Sequence, residues 1–76
     1  MLEQAKKAML DIHWEADLYA IYYEEERSRF WQERVRSLKS KLRDTYNLYA
    51  AKVTTYEMAK ELKRIFDEIM KHFPSV

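Results

Sequence analysis

The sequence predicts an all-α protein, a helical hairpin of one long and one shorter amphipathic helix. Three observations lead there. The 76 residues include no glycine and one proline, so nothing supplies the positive-φ turns that β-hairpins favour. Apolar residues recur at alternating steps of three and four along most of the chain, the spacing of one helical face. The remaining positions are rich in Glu, Lys, Arg and Ala, which are strong helix formers.

The first element begins near Leu2, where Leu2, Ala5, Met9, Ile12, Ala16, Tyr19 and Tyr23 form a heptad-like seam. A second seam, Trp31, Val35, Leu38, Leu42, then Thr45 or Tyr46, and Tyr49, keeps the rhythm but starts eight residues after Tyr23. At 100° per residue that extra position turns the apolar face by about 80°. Glu24 to Arg29 contain no Gly, Pro or Asn, so they read as uninterrupted helix with Glu25 and Arg29 paired at i,i+4. One helix over about 3–50 would be roughly 70 Å long, too long for a compact chain of this size to cover, and it would need a partner chain. The alternative is a monomeric three-helix bundle, broken near Glu24 to Ser28.

The last element starts at a capping box, Thr54 as N-cap with Glu57 at N3, flanked by a staple of Val53 and Met58. Met58, Leu62, Ile65, Phe66, Ile69, Met70 and Phe73 then give a broad apolar face, and Pro74 stops the helix, predicted over about 54–73. Thr54 to Leu62 resembles the first helix of a helix-turn-helix, but Lys63 to Glu68 continue the helix where a turn should come.

Length and composition bound the function. The chain makes one domain, 1–76, and domains this small lean on disulfides, metals or self-association. With no cysteine, disulfides and thiolate metal sites drop out, and assembly as an antiparallel homodimer is the expected support. The longest strongly apolar run, Leu18 to Tyr23, is far short of a membrane span, and the first residues lack the apolar segment of a signal peptide. A cytoplasmic protein with no membrane partner is expected.

Charge is blocked along the chain. Two basic residues face seven acidic ones in 1–26, net −5, and seven face one in 27–43, net +6; the rest balances, leaving +1. Such blocks suit antiparallel pairing of the two segments. The basic residues Arg27, Arg29, Arg34, Arg36, Lys39, Lys41 and Arg43 also form a candidate nucleic-acid surface, but on a helical wheel they bracket the Trp31–Leu42 seam on both sides.

Catalysis is not expected. There is no cysteine nucleophile, no glycine for a phosphate loop, and the serines sit among charged residues. His13 and Asp17 stand at i,i+4, yet neither His13 nor His72 has the Glu three residues before it that carboxylate-bridged metal bundles use, so no metal or other cofactor is predicted. The function expected is assembly or interaction with protein, through Met9, Ile12, Tyr19, Tyr23, Trp31, Val35, Leu38, Leu42, Tyr46 and Tyr49. Nucleic-acid binding through the basic block is the alternative.

Overall fold

A computed structural model describes all 76 residues and shows three helices and no strand: α1, Leu2–Glu26; α2, Arg29–Ala50; α3, Tyr56–Lys71. The all-α class is as predicted, but the single helix over 3–50 is not formed. The chain reverses at Arg27 and Ser28, giving the three-helix alternative.

Arg27 adopts the left-handed conformation, φ 54° and ψ 33°, and its N–H closes α1 on the Tyr23 carbonyl at 2.6 Å. Ser28 is extended and caps α2, its Oγ accepting from the Phe30 N–H at 3.0 Å. A non-glycine residue in that conformation costs about 1–2 kcal/mol. The reversal buries Met9, Ile12, Val35 and Leu38 among others, each contributing roughly 1.5–3 kcal/mol relative to an exposed position. Burial outweighs the backbone cost several-fold, so the chain turns without glycine. The Glu25–Arg29 pair predicted for a continuous helix is lost with it; Arg27 instead reaches Glu24 at 3.4 Å and lies over the Tyr23 ring.

The helices run up, down and up. Tyr19 lies against Trp31 at 5.3 Å between ring centres, which sets α1 and α2 antiparallel, and Tyr46 stacks on Phe66 at 4.4 Å, which does the same for α2 and α3. His13 meets Phe73 edge-on at 5.8 Å, so α3 runs parallel to α1. The core takes Ala5, Met9, Ile12 and Ala16 from α1, Val35, Leu38 and Leu42 from α2, and Leu62, Ile65 and Ile69 from α3, closed at one end by Phe73. The body measures 45 × 16 × 16 Å, well short of the length a continuous helix would have.

The start of α3 also shifts. Thr55, not Thr54, is the N-cap, its Oγ1 accepting from the Met58 N–H at 3.2 Å. Glu57 then sits one position too early to complete a capping box. At the other end His72 and Phe73 bond back to Ile69 and Met70 in a tightened last turn before Pro74, so α3 ends at Lys71.

Candidate interaction surfaces

The residues expected to meet a partner chain mostly meet one another. Met9, Ile12, Val35, Leu38 and Leu42 are buried in the chain's own core, and Tyr19, Tyr46 and Tyr49 pack against it half-buried. Tyr23 and Trp31 are half-buried beside the reversal. The seam that called for a second chain is satisfied by the first, because the turn at Arg27 and Ser28 folds its two halves together.

Around the reversal the aromatic residues form a braced cluster. Trp31 lies 4.8 Å from Tyr22 and 4.9 Å from Phe30, and donates its indole N–H to Glu26 at 2.5 Å. Tyr19 donates to Glu15 at 2.7 Å, while the Arg34 guanidinium lies over both Tyr19 and Phe30. These contacts fix the hairpin end, with Tyr22 and Phe30 still exposed at its surface.

A different apolar surface stands open. On α1, Trp14 is 68% exposed, Ile21 55% and Leu10 43%. With Leu18, half-buried between them, they follow steps of four, four and three, and at 100° per residue they lie on the side of α1 away from the Ala5–Met9–Ile12–Ala16 face. The helix is therefore apolar on two sides and covered on one. An open groove of about 280 Å³, lined by Glu3, Lys6, Lys7, Leu10 and Asp11, lies at one end of this row. A smaller one, bounded by Leu10, Arg64, Ile65, Glu68 and Ile69, runs between α1 and α3.

Charge on α2 forms the second surface. The acidic and basic blocks do lie on antiparallel helices, as their pattern suggested, but no ion pair crosses between them. All six ion pairs join residues three or four apart in sequence, as Lys7 does with Asp11 at 3.1 Å and Lys63 with Asp67 at 2.7 Å. On α1 five of the seven acids hold a neighbour, Asp11, Asp17 and Glu24 through ion pairs and Glu15 and Glu26 through hydrogen bonds, whereas Arg29, Arg36, Lys39, Lys41 and Arg43 have no carboxylate within 4 Å. Arg29, Arg36 and Arg43, seven residues apart, line up along one exposed flank with Lys39 beside them, while Arg34 and Lys41 lie on the other.

His13 joins helices. Its Nε2 lies 3.0 Å from the His72 carbonyl oxygen, its Nδ1 3.5 Å from Asp17, and its ring packs on Phe73, so it ties α1 to the end of α3. His72 lies 3.2 Å from Glu68 on the surface. No three His, Asp or Glu side chains converge as a metal site would need. On α3 the exposed Arg64 grips Glu61 through two hydrogen bonds, which lowers the Glu61 carboxyl below its ordinary value and raises Arg64.

These features define a small three-helix bundle with one uncovered apolar row and one unpaired cationic flank; no helix is long and apolar enough to cross a membrane. No protein-family model, curated protein or solved structure matches the chain.

Proposed function

We propose that the protein is a non-enzymatic interaction module that assembles by helix–helix packing, with the outer row of α1 as its docking face. The observation that carries this reading is Trp14, a large side chain left mostly in solvent between Leu10 and Ile21 on the side of α1 turned from the core. Tryptophan anchors are enriched where proteins bind one another. Burying each of the three side chains would contribute roughly 1.5–3 kcal/mol before the entropic cost of association.

The test is a photo-crosslinking amino acid at position 14, with position 36 on the cationic flank as comparison. Crosslinks to protein from position 14 that fade when Ile21 is changed to Glu are the expected result. An inert position 14 would remove the reading.

One observation favours a second reading, nucleic-acid binding by the unpaired cations of α2. Phosphates neutralise such side chains and release counterions, so retention on DNA or RNA would weaken with salt and vanish in an Arg36→Glu, Arg43→Glu variant. Crosslinks to nucleic acid at position 36, with none to protein at position 14, would put this reading first.

A further inference from the structure

We infer that the occupant of the α1 row is a second copy of this chain, lying antiparallel to the first about a two-fold axis near residue 16. The inference rests on the reading of that row as a docking face and names its partner. A symmetric dimer presents the same patch twice, so the patch must be complementary to itself when reversed. Reversal about residue 16 sets Trp14 of one copy beside Leu18 of the other. Ile21 falls next to Asp11, over the open groove that Lys7, Leu10 and Asp11 help to line.

The charges at the two ends decide the direction. Lys6 and Lys7 stand at one end of the row, and Glu24, Glu25 and Glu26 at the other. The same reversal sets Lys7 opposite Glu25, which fall on the same flank of the row. A parallel pair would instead hold two acidic clusters side by side on a helix that already carries net −5. The groups are available: Glu25 has no ion pair within the chain, and Lys7 holds Asp11 only through an exposed contact of little energetic weight. At 100° per residue Lys7, Leu10, Trp14, Leu18, Ile21 and Glu25 fall within an arc of about 80°, so charge and apolar contacts are made on one face.

The test is sedimentation equilibrium from about 10 μM to about 1 mM, with charge reversal as the probe of register. The wild-type chain is expected to dimerise, and Trp14→Glu to sediment as a monomer with unchanged helicity. Lys7→Glu and Glu25→Lys should each weaken the dimer about tenfold, since each places like charges together twice, and the double variant should recover to within about threefold of wild type. A double variant no tighter than the weaker single one overturns the antiparallel register. A wild-type monomer at the highest concentration overturns self-pairing. In that case crosslinks from position 14 to a different protein leave the docking face standing, and an inert position 14 removes both.

Discussion

Leu42 and Leu48 are the same residue on the same helix, and replacing each with alanine should have very different consequences. Leu42 is 0% exposed at the centre of the core, whereas Leu48 is 58% exposed. Removing an enclosed leucine deletes its transfer free energy and leaves a cavity, a loss of about 2–5 kcal/mol. At 0.05–0.15 kcal/mol per residue, a chain this small has roughly 4–11 kcal/mol in all. Leu42→Ala should therefore remove about a fifth of the stability or more. At about 4–8 °C per kcal/mol, a loss near 3 kcal/mol lowers Tm by roughly 12–24 °C. Leu48→Ala should stay within about 0.5 kcal/mol of wild type. Thermal and urea unfolding followed by circular dichroism, at two protein concentrations, reads both values. Because Leu42 is buried within its own chain, the gap between the variants should not change with concentration. Equal losses, or a Leu42→Ala loss that disappears on concentration, would refute the intrachain core and return Leu42 to an intermolecular seam.

The reversal makes a prediction of sign. Glycine at position 27 should be about 1 kcal/mol more stable than alanine there, because only alanine bears the strain of the left-handed conformation; inside a continuous helix the order would be opposite, by a similar amount. Chemical denaturation of Arg27→Gly and Arg27→Ala decides it. Thr55→Ala should cost about 1 kcal/mol through loss of the α3 cap while Thr54→Ala costs little, and equal effects would restore the cap to Thr54. The Glu61 carboxyl, lowered chiefly by its hydrogen bond from Arg64, contributes stability that is present above its ordinary value of 4.5 and lost as pH falls through the lowered folded value. Arg64→Met should thus slightly flatten the acid limb of the stability profile below about pH 4.5, and a change confined to neutral pH would contradict the pairing.

How far the fold could be read depended on which physical signal each element uses. Helical period is written in the side chains, so both seams, the face of α3 and the stop at Pro74 were legible. The reversal was not, because turn signals rest on residues that reach positive φ cheaply, and here an arginine takes that conformation with its strain offset by burial elsewhere. Ser28 was the one local cue, an N-cap residue within a charged run. The step of eight between the seams is the slack that the two-residue link uses, and a rotated face on one continuous helix would show the same spacing. The docking row was hidden for the same physical reason: with both seams free to meet a partner chain, spacing alone does not set Leu10, Trp14, Leu18 and Ile21 apart, and only the fold shows which apolar face is left uncovered. The acid and base blocks gave the antiparallel sense of α1 and α2, but not their ion pairs, because neighbours three or four residues apart are closer than any residue on the next helix.

The most direct test of the assembly is one distance between two copies. The chain has no cysteine, so Gln4→Cys, near the start of α1, gives a single site for a nitroxide label. In an antiparallel pair centred near residue 16, the two labels are about 36 Å apart along the helix axis at about 1.5 Å per residue. Pulsed dipolar spectroscopy should show one narrow population near that distance, lost on Trp14→Glu. A population below about 20 Å would mean that the helices pair in parallel, and no dipolar signal at all would mean that the outer row of α1 does not bring two copies together.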